Sequence, residues 1–264
     1  MTRLEFLSEK KTFLNSNGTR FISHTGCYDF NLIFSSRKGT KNSMGYFTSI
    51  SANTLAQPLI KWGMLEMLLE QSALSVDSRP VEGNFIGDII VAPECLGSFL
   101  DFITENSIRD NMLISGTSFY KNSIGKRISV EDFTLSSQPL SHEMAGGYFF
   151  TPDGHKAVNL PIITNGVLKT YLLSQYGADK IRLPHIANAG GYYCVEAGGV
   201  SLDSLVRSVK KGLLVIRCSM GKPNQQGDFS GVVKNSFYIE NGKVLFPVSE
   251  TMISGNIPEM FHHI

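Results

Sequence analysis

Phe237-Tyr238-Ile239-Glu240-Asn241-Gly242-Lys243-Val244-Leu245 is the stretch that decides the fold. Two β-type runs flank an Asn-Gly pair. Asn-Gly favours a type I′ turn, because both central residues need positive φ, and that turn suits the twist of a hairpin. Ile162-Ile163-Thr164-Asn165-Gly166-Val167-Leu168 repeats the pattern. From about residue 111 onwards the chain therefore reads as β-rich, built from antiparallel hairpins. One helix is predicted between the two hairpins, over Leu202 to Lys211. Ser201 is its N-cap, Lys210 and Lys211 close its last turn, and Gly212 is its stop. Leu213 to Arg217 then reads as a strand, and a short helix is expected from Pro258.

Working back towards the start, Ile89-Ile90-Val91-Ala92 is a buried-strand run. Pro93 follows, a residue suited to the first position of a helix. Leu96, Phe99, Leu100 and Ile103 share one face of that helix. A polar break from Ser75 to Asn84, with Pro80 and Gly83, marks the main boundary. Before it, the spacing of Ile60, Met64, Met67 and Leu68 predicts a long helix over 52–74, with Pro58 near its beginning. Earlier still, Asn15-Ser16-Asn17-Gly18 is a turn cluster, Phe21 to Thr25 and Tyr28 to Phe34 are β-type runs, and Arg37 to Ser43 is a polar loop. The fold class is α+β. A β-rich C-terminal domain over 85–264, with antiparallel hairpins and a few helices, is preceded by a partial α/β N-terminal domain over 1–84.

The 264 residues carry 24 Lys+Arg against 23 Asp+Glu, a net charge of +1, which argues against a general nucleic-acid binder. No apolar run approaches the ~18 residues of a membrane span, and Met1 to Lys11 has no signal-peptide core. A cytoplasmic protein is expected. Cys27, Cys95, Cys194 and Cys218 contain no CxxC pair and read as reduced thiols. Charged residues make up 18%, below the roughly 25% of typical soluble domains, so partner-covered surface is expected.

Candidate chemistry is sparse. His142-Glu143 lacks the second histidine of a helical zinc motif, since Gly146 and Gly147 stand where it is needed. His24, His155 and His185 are isolated in the sequence. Gly227-Asp228-Phe229-Ser230-Gly231 reads as a tight turn beside a strand, in which Asp228 steadies the turn.

The same segment carries a resemblance. Gly227 to Gly231, then Ile239-Glu240-Asn241-Gly242-Lys243, Pro247-Val248 and Ile253-Ser254-Gly255-Asn256, is similar in order and spacing to the C-terminal signature of the TldD/PmbA family. Gly116-Thr117-Ser118-Phe119 with Gly125-Lys126, Asp153-Gly154 with Ile162 to Tyr171, and Asn15 to Gly18 resemble further blocks. This family supplies the subunits of the TldD–TldE metalloprotease, also called modulators of DNA gyrase. The PmbA (TldE) branch is the nearer likeness.

In TldD-type subunits an HExxxH helix holds zinc. Carried over by position, its histidines fall on Pro93 and Ser98 and its glutamate on Glu94. Adjacent Cys95 points about 100° away around the helix, so that pair is a poor chelate. The resemblance also implies family members longer at both ends, with a cysteine ligand in the C-terminal tail. It therefore implies a subunit without its own metal, with zinc only on a partner. Glu94 remains as a catalytic candidate, and Asp228, Phe229 and Ser230 as substrate-binding candidates. The implied partners are a second copy or a TldD-type subunit, and an unfolded or extended peptide. Two rivals stand beside this reading. One is a self-sufficient hydrolase using His142, Glu143, Asp228 or His155. The other is a non-catalytic module that binds extended peptides on a sheet edge. The helix at 52–74, with Trp62, Met64, Met67 and Leu68, is the expected contact face.

Overall fold

The computed structural model describes residues 1–264. β1 (Thr2–Leu14) and β2 (Arg20–Phe34) pair antiparallel along the whole of β1, from Thr2 opposite Leu32 to Leu14 opposite Arg20. The side chain of Asn15 accepts the Asn17 and Thr19 N–H groups to close the turn. β3 (Arg37–Lys38) and β4 (Lys41–Asn42) form a minimal hairpin, from which Lys38 and Lys41 reach Asp77. β5 (Tyr46–Ala52) pairs with β2 and completes a three-stranded antiparallel sheet.

The helix predicted over 52–74 is shorter in the structure. A single 3₁₀ turn covers Leu59–Lys61, Gly63 adopts φ +51, and α1 spans only Leu65–Leu74. The left-handed glycine breaks the helical path and resets its phase. The buried face becomes Leu65, Leu68, Gln71 and Ser72, instead of Ile60, Met64, Met67 and Leu68. The expected contact stripe is corrected with it. Trp62 packs edge-on to Phe30 within the protein, and Leu68 is 1% exposed beside Tyr46, Leu214 and Ile239.

β6 (Asp88–Val91) leads into α2 (Pro93–Thr104), with Pro93 in the first turn as the sequence predicts. α3 (Asp110–Ile114) and β7 (Leu135–Ser137) follow, then β8 (Leu160–Thr164) and β9 (Val167–Leu168). The turn between β8 and β9 has Asn165 at φ +48 and Gly166 at φ +75, as a type I′ turn requires. α4 (Gln175–Ile181) and β10 (Tyr193–Val195) precede α5 (Leu202–Ser208). Ser201 caps α5 as expected, by accepting the Ser204 N–H.

The end of α5 is a second correction. The helix stops at Ser208, and Lys211 opens β11 (Lys211–Val215). Gly212 is therefore a strand residue. It lies between Asp88 of β6 and the strand on its other side, and a Cβ there would collide with the Asp88 carbonyl oxygen. Its signal comes from close backbone approach, which a helix-stop glycine mimics in sequence.

β12 (Arg217–Met220), β13 (Asp228–Lys234), β14 (Phe237–Glu240), β15 (Lys243–Pro247), β16 (Met252–Asn256) and α6 (Ile257–Phe261) complete the chain. Asn241 at φ +49 and Gly242 at φ +73 form the β14–β15 turn. Three sheets result, with orders β10-β7-β8-β9, β15-β14-β11-β6 and β12-β13-β16. Every strand pairing in them is antiparallel except β6 with β11. The main core lies among these sheets, α2 and α6, and includes Phe99, Ile103, Leu135, Ile162, Leu168 and Ile257. Tyr46 and Leu68 from the first 84 residues share a second cluster with Ala92, Leu214 and Ile239.

Candidate functional site

α2 sets the geometry of the region that the family resemblance singles out. Ala92 ends β6 in an extended conformation, and Pro93 starts the helix. Pro93, Glu94, Gly97 and Ser98 lie away from the core, whereas Cys95, Phe99 and Leu100 face it. Thr48 donates its hydroxyl to Glu94 Oε1 at 3.2 Å, which ties the helix start to β5. Beneath it, burial pushes the Cys95 thiol up, while a backbone hydrogen bond with Cys218 and the Arg217 charge pull the other way. Burial, then the neighbouring Cys95, drives Cys218 up to about 11. Both sulfurs are held as thiols, and the thiolate is the metal ligand. At the two positions onto which the resemblance carries the zinc histidines, α2 has a proline ring and a serine hydroxyl. Zinc needs three or four protein donors of His, Cys or carboxylate type. No three such side chains gather in an arrangement that could hold a metal ion. The donor set does not fit zinc.

A groove of about 590 Å³ opens at the other end of β6, away from the helix start. One wall is the segment 81–89 with β6, and the other is Glu250 to Gly255 with β16. β6 and β16 are each the terminal strand of their sheet. Leu213, Phe229 and Met260 complete the lining, while Ile86 and Met252 stand exposed at 102% and 66%. The arrangement leaves sheet edges beside a trough of mixed polar and apolar character, which can accept an extended chain by main-chain pairing.

The other candidates fall in separate places. Asp228, expected inside a tight turn, instead opens β13; it accepts the side-chain amides of Asn256 and Asn224, and those bonds hold its carboxyl below the usual range. Ser230 is exposed opposite Ser254. Phe229 is 7% exposed and meets Phe99 of α2 at 90° with ring centroids 5.4 Å apart. His142 and Glu143 sit on an exposed loop, where the Asn53 amide donates to the His142 carbonyl. His155 packs against His185 with ring centroids 4.5 Å apart and planes tilted by 44°, a pairing of isolated residues that sequence spacing cannot reveal. The residues of a self-sufficient hydrolase are thus dispersed rather than convergent.

The histidine pair has a consequence for stability. Burial, then His155, lowers the pKa of His185, with Asp153, Asp179 and Asp110 pulling in the opposite direction. As pH falls, the unfolded chain therefore takes up this proton before the folded chain does. The contribution of His185 is full above about pH 6.5 and declines below it until the folded imidazole itself titrates. His185→Gln is expected to shallow the fall in urea midpoint between about pH 7 and 5. Midpoints measured across that range check it, and an unaltered slope contradicts it.

Comparison with known proteins agrees with this architecture. Residues 85–264 match the model of the PmbA/TldA metallopeptidase C-terminal domain. The chain belongs to the PmbA/TldD family. A metalloprotease PmbA homologue of Buchnera aphidicola is 27% identical over 288 residues, covering 99% of this chain and 64% of that protein. The PmbA homologue of Haemophilus influenzae is 26% identical, covering 98% and 61%. Among solved structures, TldE from Thermococcus kodakarensis superposes with a TM-score of 0.83 at 19% identity, over 99% of this chain and 61% of its own. The chain spans less than two thirds of the length of these PmbA/TldD proteins. No helix is long and apolar enough to cross a membrane.

Proposed function

We propose that this chain is a zinc-less, PmbA/TldE-like subunit that supports proteolysis or peptide maturation by a metalloprotease complex. The observation that carries the reading is the start of α2. The family model is one of metallopeptidases, yet where the resemblance would carry the zinc histidines α2 has Pro93 and Ser98, on either side of Glu94. A proline ring has no free N–H or lone pair to offer a metal, and a serine hydroxyl is a poor substitute for imidazole. Zinc would sit on a TldD-type partner, and this chain would hold an unfolded peptide in the groove between β6 and β16.

The test is reconstitution. Alone, the chain is expected to retain no stoichiometric zinc and to leave a casein-like unfolded peptide intact. With a zinc-bearing TldD-type subunit, cleavage is expected to rise above that of the partner alone. Pro93→His combined with Ser98→His is expected to stay inactive alone, because two imidazoles are fewer than the three protein ligands that water activation needs. One zinc per isolated chain with cleavage of the peptide would overturn the proposal.

A further inference from the structure

The groove has a charge character of its own. Asp88 at the start of β6 and Glu250 just before β16 both line it, and no Lys or Arg does. Both carboxylates are exposed, and neither accepts a side-chain hydrogen bond or an ion pair from within the protein. The cations on adjoining segments lie over aromatic rings, that of Lys211 over Phe85 at the groove's own margin. Arg79 lies 3.9 Å over the Phe246 ring, and Lys211 lies 4.4 Å over the Phe85 ring. Glu250 also has φ +48, a left-handed conformation that a glycine would adopt more easily. Around these charges the walls are mixed, with Ile86, Met252 and Phe229 beside Asn84, Thr251 and Ser254.

Resting on the reading of this groove as a peptide site, we infer that its ligand is an extended peptide carrying Lys or Arg among apolar side chains. Like charges concentrated in a concave site raise the local concentration of the opposite charge. Two unpaired carboxylates flanking a strand-sized trough therefore favour cationic side chains. An added strand presents its side chains alternately to opposite faces. Apolar residues can then meet Ile86 and Phe229 while basic ones meet Asp88 and Glu250. The main chain supplies tolerance of sequence, and the carboxylates supply a bias in charge.

Three ten-residue fluorescent peptides test this, identical in their Val, Ile and Thr positions and carrying three Lys, three Gln or three Glu. Binding to the full chain is measured by anisotropy. At low salt the Lys peptide is expected to bind about tenfold tighter than the Glu peptide, with the Gln peptide between them. The ratio is expected to shrink towards one near 0.5 M salt, where the screening length is only several ångströms. Asp88→Asn with Glu250→Gln is expected to bring the Lys and Glu peptides together. Equal binding of all three peptides, or a Lys preference kept by the double variant, overturns the charge assignment and leaves peptide binding standing. Binding of none of the three overturns the peptide site itself, and with it this inference.

Discussion

Gly212→Val is expected to destabilise the protein by about 3 kcal/mol and to loosen the wall of the groove. Gly212 sits on an inner strand of its sheet, parallel to β6 on one side and antiparallel to β14 on the other. A Cβ at that position collides with the Asp88 carbonyl oxygen and comes within 2.9 Å of a Val209 methyl. The first obstacle is backbone, so no side-chain rotation relieves it. Relief requires β6 to move away from β11, which breaks the ladder from Gly212–Asp88 to Val215–Val91. β6 leads directly into α2, so the displacement reaches the helix start as well. Gly97→Ala provides the contrast. Gly97 lies on the outer face of α2, where an added methyl would find no atom within 4 Å, and the substitution is expected to add up to about 1 kcal/mol. Urea unfolding of the two variants checks the opposite signs, and hydrogen exchange at Ile89 and Ile90 reports whether β6 has detached. Equal midpoints for Gly212→Val and the parent protein would contradict the argument.

Local chemistry made part of this fold legible. An Asn-Gly pair needs only its own two positive φ angles, so both hairpins could be located from a handful of residues. Pro93 and Ser201 are equally local, one by its fixed φ and missing N–H, the other by its hydroxyl. What stayed hidden depends on partners distant in sequence. Gly212 resembles a helix stop until Asp88 is placed beside it, more than a hundred residues earlier in the chain. Gly63 interrupts a spacing that reads as one long helix, and its left-handed turn accompanies the burial of Trp62 against Phe30, a partner about thirty residues earlier in the chain.

The candidate site divides in the same way. A turn near this segment was visible, because Asx chemistry acts on near neighbours, but Asn224 closes it by accepting the Gln226 and Asp228 N–H groups, and Asp228 itself opens β13. The reading of positions 93 and 98 as places where zinc histidines would stand rests on the family resemblance alone. The groove was not readable at all, because its walls are residues 81–89 and 250–255, and their approach is set by two different sheets. The contact of His155 with His185 joins two loops in the same way.

Phe229→Ala is expected to cost about 3–5 kcal/mol, the range for emptying a buried aromatic site, and to weaken peptide binding at the groove in step. The signature segment around Phe229 makes it a substrate-binding candidate, and the structure gives it a second duty. Its ring is buried between the groove and α2, edge-on to Phe99. Around it are Gly255 of β16, whose Cβ would lie 3.3 Å from the ring, and residues of the main core cluster. Truncation removes both the transfer free energy of the ring and the aromatic contact, and the rigid sheet on one side limits collapse of the cavity. Ser230→Ala, at an exposed position on the same strand, is expected to change stability by no more than about 0.5 kcal/mol. Phe229→Leu separates the two duties, because it keeps most of the buried volume while losing the edge-to-face pair, and it is expected to cost about 1.5 kcal/mol. If Phe229 only supports the wall, peptide affinity follows stability through Leu and Ala. If the ring also touches the peptide, the Leu variant loses affinity beyond its loss of stability. Urea midpoints and anisotropy titrations on the same three proteins distinguish these outcomes, and an Ala variant as stable as the parent would remove Phe229 from the core altogether.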